Sequence, residues 1–321
     1  MIKRKTFERI RDKLENPHWI CMLWGGKYLR WMSDKAYLSL FYRIFWHKKI
    51  DWDDPKLFTE KLLWLKLYDQ KPEYTDMVDK YEVKRIVSEK VGSEYVIPAL
   101  GVWERFDDID FSKLPDAFIL KTTHDSGGFV VCKDKKNFDY KSAEKKLNKC
   151  LMTNFYWTGR EWPYKNVKPR IIAEPYIDSL GKPDSVEYKL TCFDGVAKNI
   201  TVCRGIAHSV LSDRTNDHYD RDLKPLLWYA YYKNSTKPFT FPKEIHKIIE
   251  LAEKLSEGIP QVRVDFYIVD GQIYFGEMTF FTWGGFIKFT PKEQDRIMGE
   301  WIVLPPKCVE AKGLSNRRSK G

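Results

Sequence analysis

The spacing of apolar positions sorts the chain into helices and strands before any other property is needed. Ile245, Ile248, Ile249, Ala252 and Leu255 recur at three and four, which predicts a helix over 244–257 buried along one stripe. Residues 34–49 and 59–69 also read as helices. In the second, Leu62, Leu63, Trp64, Leu65 and Leu67 are crowded enough to predict burial on most sides. A helix capped at Thr75 or Asp76 runs through Asp79-Lys80-Tyr81 to Val87 and stops near Gly92, and 139–153 forms a basic one. Short strand-like runs rich in β-branched and aromatic residues occupy 95–103, 116–121, 129–132 and 170–177. Two further pairs of runs, 188–193 with 197–204 and 263–269 with 272–279, flank Asp194-Gly195 and Asp270-Gly271. Such a dipeptide predicts a two-residue hairpin, because both turn residues need φ > 0. Residues 154–168 are aromatic and read as a loop, and 205–240 resist assignment.

The last hairpin carries the first candidate chemistry. Side chains alternate along a strand, so Arg263 and Asp265 share one face, as do Glu277 and Thr279, and the tight turn brings Asp265 near Glu277. Two carboxylates beside a cation on rigid strands suit Mg²⁺, which takes one or two carboxylates and fills its other positions with water and phosphate oxygens. Arg263 then meets the phosphates. The plainer reading, ordinary polar residues on a solvated hairpin face, stands beside this one.

A second candidate is the strand 116–121, which ends in Lys121 and runs through Thr122-Thr123-His124-Asp125-Ser126-Gly127-Gly128 into the strand Phe129–Cys132. Its backbone N–H groups can fold over phosphates with the lysine supplying a point charge. A simple hairpin turn explains the same residues. The loop is neither a Walker loop nor a dinucleotide fingerprint.

Composition narrows the class. A chain of 321 residues, 43% hydrophobic and 15% aromatic, supports two or three packed units. The net charge is +10, and residues 1–50 hold twelve Lys and Arg against four Asp and Glu, a surplus of eight. Interleaved with Trp19, Trp24, Tyr28, Trp31, Tyr37, Phe41, Phe45 and Trp46, this charge suits an anionic membrane surface or an acidic polymer, or else it is a solvated face over a small aromatic core. Nucleic acid is not an expected partner, since no recognised binding motif accompanies the charge. The six cysteines show neither C-x-x-C nor zinc spacing and read as reduced thiols. With no apolar run of about 18 residues and no signal-peptide pattern, the expected location is the cytoplasm, at most peripheral at the inner face of the membrane.

Taken in order, Asp79-Lys80, Lys121 with its glycine loop, Glu174-Pro175-Tyr176-Ile177, Arg263-x-Asp265 and Glu277-x-Thr279 resemble the ATP-grasp fold. Phe58-Thr59-Glu60-Lys61, Asp79-Lys80-Tyr81, Ile119-Leu120-Lys121-x-x-His124, Glu187-Tyr188-Lys189 and Phe275-Gly276-Glu277-Met278-Thr279 look like its TupA-like branch, named for a teichuronopeptide biosynthesis protein. The likeness covers residues 35–305 or so. It implies an α+β protein whose two subdomains, with antiparallel sheets, clasp ATP. The implied division is a basic aromatic helical segment (1–55), a substrate region (56–115), a flap subdomain (116–177), a metal-binding subdomain (178–305) and a basic tail (306–321).

The resemblance also implies residue roles. Lys80, or its neighbour Lys84, and Lys121 hold the phosphates while Ser126-Gly127-Gly128 closes over them. Glu174, Tyr176 and Ile177 form the hinge that reads adenine, through backbone groups and the Glu174 carboxylate. Glu187, or Asp184, accepts the ribose hydroxyls. Asp265 and Glu277 carry Mg²⁺, with Thr279 at a position where many ATP-grasp enzymes have Asn, whose amide oxygen is the better metal ligand. Arg263, Lys189 and His124 complete the catalytic set, His124 as base for an amine.

The implied reaction passes the γ-phosphoryl group to a carboxylate and lets an amine displace it from the acylphosphate. Positioning and charge neutralisation carry such chemistry, which accounts for lysines, an arginine and metal carboxylates in place of a nucleophile triad. For this branch the substrates are a uronic acid carboxylate on a sugar or surface-polysaccharide precursor and an amino compound. A glycosyltransferase is the main rival, with Asp51-x-Asp53 and Asp108-x-Asp110 as its only metal motifs, both in apparent turns. A sugar kinase on the same fold and a silent membrane scaffold are the others.

Overall fold

Both Asp-Gly pairs take the left-handed conformation that a two-residue hairpin demands. Asp194 and Gly195 have φ of 46° and 80°, and Asp270 and Gly271 have 51° and 80°. In the computed structural model, which describes residues 17–182, 185–205 and 214–307, the two hairpins lie side by side. Strands β5 (Val186–Phe193) and β6 (Val196–Arg204) form one, and β9 (Val262–Val269) and β10 (Gln272–Thr279) the other. They join β7 (Thr215–Tyr219) and β8 (Pro225–Leu226) in a six-stranded sheet of order β10-β9-β5-β6-β7-β8.

A second, four-stranded sheet has the order β1-β4-β2-β3, from β1 (Gly101–Trp103), β2 (Phe118–Thr122), β3 (Phe129–Cys132) and β4 (Ile171–Pro175). Every pairing in both sheets is antiparallel, so the fold class is α+β. Each sheet has its own apolar layer. The smaller one packs Phe118, Leu120, Ile171 and Ala173 with Ala143 and Leu147 of a helix over Tyr140–Leu151. The larger packs Leu190, Ile200, Val264 and Phe266 with Ile245, Ile248, Ile249, Ala252 and Leu255, the stripe expected of 244–257, on a helix over Ile245–Ser256.

The N-terminal helices, named in chain order, are α1 (Pro17–Tyr28), α2 (Asp34–Trp46), α3 (Phe58–Tyr68), α4 (Glu73–Val78) and α5 (Glu82–Lys90). Helix α3 is buried on most sides, as its crowding predicted. One expectation fails at 76–87. The Asp79 carboxylate accepts the N–H of Tyr81 (2.8 Å) and a bond from Arg170 (2.7 Å), which breaks the helix in two and leaves Lys80 at the junction. The 95–103 run is strand only over its last three residues. The 154–168 loop contains a short helix, Tyr156–Gly159, and a 3₁₀ turn. The tail from 308 onward and Asp184 lie outside the described residues.

Candidate active site

Glu277 reaches the site face only because β10 is irregular. A two-residue turn with unbroken pairing sets Phe275 opposite Phe266, which would put Glu277 opposite the buried Val264, facing the core. Instead the register shifts between Phe275 and Met278, so that Met278 pairs with Val264 and Thr279 with Arg263. The bulge turns Glu277 and Thr279 onto the face of Asp265. Gly276 makes this possible, because a Cβ there would lie 2.9 Å from the Tyr267 ring and 3.1 Å from the Asp265 carbonyl oxygen. The sequence carried the signal, a glycine inside a strand, but the two-residue rule alone does not yield the face.

Around Asp265, which is fully buried, the charges interlock. Arg263 donates from Nε and Nη2 to its two carboxylate oxygens at 2.6 Å each, and Lys189 donates to one of them at 2.7 Å. The Lys189 ammonium also lies 2.7 Å from Glu187, whose other oxygen accepts the Tyr267 hydroxyl at 2.6 Å. Arg263 Nη2 reaches Glu277 at 3.0 Å, as does the Thr279 hydroxyl. Burial alone would raise the Asp265 pKa, but the Arg263 and Lys189 charges outweigh it and hold the carboxyl below its ordinary range. Burial alone would likewise lower Lys189, and Asp265 outweighs it and drives the ammonium upward.

The second cluster sits on the smaller sheet. Glu174, nine-tenths or more buried, is held by Lys121 at 2.5 Å and Lys84 at 2.6 Å. Its carboxyl stays ionised because these two lysines outweigh the desolvation. The carboxylate expected to read adenine is therefore occupied in positioning both lysines. Lys80 donates to the carbonyl oxygen of Asp125 at the root of the Ser126-Gly127-Gly128 loop. Burial lowers its pKa. Gly127 has φ of 92° with open space where a Cβ would stand, and at Gly128 a Cβ would meet Thr122 and Asp125 side chains. The loop is thus a backbone surface that only glycine leaves bare. Tyr176 and Ile177 follow β4, with the Tyr176 hydroxyl on Asp178 (3.1 Å) and Lys133 over its ring.

His124 does not take the place expected of a base. Its Nε2 faces the carbonyl oxygens of Cys150 (3.2 Å) and Thr153 (3.0 Å), which ties the loop to the end of the 140–151 helix. It is absent from the lining of a cavity of about 960 Å³ that Lys80, Ser126, Glu187, Lys189, Arg263, Glu277 and Thr279 do line. Both aspartate pairs of the rival motif are turn caps, Asp51 accepting from the N–H groups of Asp53 and Asp54 and Asp110 from Ser112.

The same cavity holds groups the sequence reading passed over. Glu161 stands in its wall with its carboxyl pushed up by burial and pulled back by buried Lys66, which donates to the carbonyl oxygens of Gly159 and Gly284 at 2.6 Å each. Across the β5-β6-β7 face, Thr191, Asn199, Thr201 and His218 line the cavity, as do Tyr231 and Trp283, whose rings lie 4.1 Å apart at a tilt of 33°. His218 Nδ1 faces the Thr201 hydroxyl (3.1 Å) and its ring stacks on Trp228 at 3.5 Å. Burial pushes its pKa down to about 3, so the imidazole is neutral. His218 Nε2 and Asn199 Oδ1 are buried there without a hydrogen-bond partner. Only the alternation along 197–204 hinted at this face, because 205–240 gave no period to extend it.

Among protein families, the one described as TupA-like ATPgrasp matches residues 60–303. No curated protein matches the chain. Among solved structures, D-alanine-D-alanine ligase from Bacillus anthracis complexed with ATP is similar at 18% identity and a TM-score of 0.37, over 63% of this chain and 54% of that one. D-cycloserine synthetase is similar at 15% identity and 0.38, over 64% and 62%. The RimK domain protein ATP-grasp from Sphaerobacter thermophilus is similar at 9% and 0.40, over 73% and 70%. The chain spans about half the length of the first of these and about three-fifths of the second.

Proposed function

The chain belongs to the TupA-like ATP-grasp family, and from that premise we propose that it is an ATP- and Mg²⁺-dependent carboxylate-amine ligase whose carboxylate is carried on a sugar. The observation that supports this reading is the meeting of Lys80, Ser126, Arg263, Lys189 and Glu277 on one cavity. A nucleotide's phosphates need cations and bare backbone on one side and metal carboxylates on the other.

Glu277, half-exposed on the cavity, and Asp265, which shares the Arg263 guanidinium with it, are the carboxylates that would hold Mg²⁺, an ion that takes one or two carboxylates and fills its other positions with water and phosphate oxygens. When bound, the ion neutralises and orients phosphate oxygens. Thr279 spends its hydroxyl on Glu277, so it acts as a brace for that carboxylate. Lys189 and Arg263 fix Asp265, and Lys121 and Lys80 offset the phosphate charge.

The substrate carboxylate attacks the γ-phosphorus, its new P–O bond forming as the bond to ADP breaks. The amine nitrogen then attacks the acyl carbon, the C–O bond to phosphate breaks, and the nitrogen sheds a proton. Glu161 is the cavity carboxylate suited to accept that proton, in the role first assigned to His124, because burial moves its pKa toward neutrality. The unpartnered His218 Nε2 and Asn199 Oδ1, on the cavity that the Tyr231 and Trp283 rings also line, suit the hydroxyls and the C–H face of a pyranose.

The test is ADP release with glucuronate or galacturonate and a panel of amino acids, followed by isotope tracing. With ¹⁸O in the substrate carboxylate, a ligase moves one label into inorganic phosphate. Phosphate retained on the sugar would favour the kinase, and turnover of a nucleotide sugar without ATP the transferase.

A further inference from the structure

We propose that α1 and α2 form a docking face for the headgroup region of an anionic lipid bilayer. Helix α1 is pressed flat against its neighbours by a glycine pair. A Cβ on Gly25 would lie 2.6 Å from the Phe41 ring, and one on Gly26 would lie 2.8 Å from the Trp157 carbonyl oxygen. The Tyr37 hydroxyl, donating toward the carbonyl oxygens of Met22 (3.2 Å) and Thr158 (2.8 Å), fixes this contact from within. The opposite side of α1 is therefore held outward on a rigid base.

What it presents is large and apolar. Trp24 is 60% exposed, Tyr28 50% and Trp31, in the turn that follows, 80%. Leu23 on α1 and Leu40 and Ile44 on α2 are exposed as well. Trp24 and Tyr28, one turn apart, bring their rings within 4.8 Å at a tilt of 45°. Amphipathic rings with aliphatic neighbours suit the boundary between headgroups and acyl chains.

The charge is complementary to such a surface. Between Met22 and Lys49 the only acid is Asp34. It accepts the Tyr156 hydroxyl at 2.6 and 2.8 Å and faces the buried Arg160. Lys27, Arg30, Lys35, Arg43, Lys48 and Lys49 are exposed around the aromatics. Lys27, Arg30 and Lys35 lie over aromatic rings. An acidic polymer would match these cations but gives no reason for the exposed Trp, Leu and Ile, whereas anionic lipid accounts for both.

The inner side of the same helix pair touches the cavity. Met22, Phe45 and Trp46 line it. A protein resting on α1 and α2 thus holds its cavity one helix away from the bilayer, where an acceptor carried on a lipid anchor lies. That last link rests on the proposed ligase reading, and the docking itself does not.

The experiment is co-sedimentation of the full chain, without nucleotide, with phosphatidylcholine vesicles and with the same vesicles containing phosphatidylglycerol. Binding is expected only to the anionic vesicles and falls as salt is raised. The Trp24→Ser/Trp31→Ser and Lys27→Glu/Arg30→Glu double variants should each bind at least about tenfold more weakly. Circular dichroism and thermal melting of the same samples show that the variants are folded, and ATP titration reads the ligase proposal separately. The proposal is overturned if the wild type ignores anionic vesicles or if the double variants bind as it does. It is equally overturned if light scattering shows a dimer that the tryptophan variant abolishes, since the face would then be a contact between copies.

Discussion

The charge clusters beside the two sheets have opposite electrostatic characters, and the cavity is lined by Lys80 from one side and by Glu187, Lys189, Arg263 and Glu277 from the other. On the larger, Asp265, Glu187 and Glu277 face two cations, Arg263 and Lys189. Beside the smaller, Lys84 and Lys121 hold one carboxylate, Glu174, and Lys80 donates to the carbonyl oxygen of Asp125 at the loop. One cluster has a carboxylate to spare and the other a cation. In each, the minority charge holds the majority in place, so the groups are fixed before a ligand arrives, as electrostatic preorganisation requires. The clusters differ in burial. Arg263 is pinned by a fully buried carboxylate, while Lys121 is nearly one-third exposed beside a glycine loop.

That difference ranks the expected effects. Asp265→Ala strands Arg263 and Lys189 without their shared counter-ion, so urea denaturation should show a loss of about 3–5 kcal/mol, with activity abolished. Gly276→Val pushes against the Tyr267 ring and the Asp265 carbonyl and displaces Glu277. A shift of about 1 Å at the reacting groups costs on the order of 100-fold in kcat, which steady-state kinetics reads. Lys121→Met removes one charge-assisted contact to phosphate and should raise the Kd for ATP by about tenfold or more. Because Lys84 still neutralises Glu174, its unfolding midpoint should scarcely move.

The effect that is smallest at neutral pH is a slope. His218 is held neutral in the fold, its pKa lowered by burial to about 3 from 6.5. Below pH 6.5 the unfolded chain binds a proton that the folded chain refuses. Stability is therefore full above pH 6.5 and declines down to about pH 3, by at most about 1.4 kcal/mol per pH unit. His218→Gln should flatten the pH dependence of unfolding over that window, and a wild type and variant with the same slope would place the imidazole in water.

The residues legible in the sequence were those whose role follows from short spacing. Arg263 and Asp265 needed only strand alternation, and both hairpin turns needed only Asp-Gly. Glu277 was placed on the correct face by an argument that omitted the bulge, and Gly276 supplies the missing physical cause. The helix break at Asp79 depends on Arg170, 91 residues away, and no local propensity contains it. Glu161, Asn199 and His218 acquire their character from burial by distant segments. A lone glutamate in an aromatic stretch and a histidine in an aperiodic one give no local sign of it. His124 stood at a suggestive position, but its ring direction is set by the carbonyls of Cys150 and Thr153.

The central claim is that one cavity brackets Mg²⁺-ATP between a lysine cluster and a carboxylate cluster. Its most direct test is calorimetric titration of ATP, with and without Mg²⁺, into the wild type, Lys121→Met and Glu277→Gln, with a uridine-diphosphate sugar as comparison. ATP binding should depend on Mg²⁺, weaken in the lysine variant and lose its metal dependence in the glutamate variant. Binding of the nucleotide sugar alone, or ATP binding indifferent to both substitutions, would contradict it.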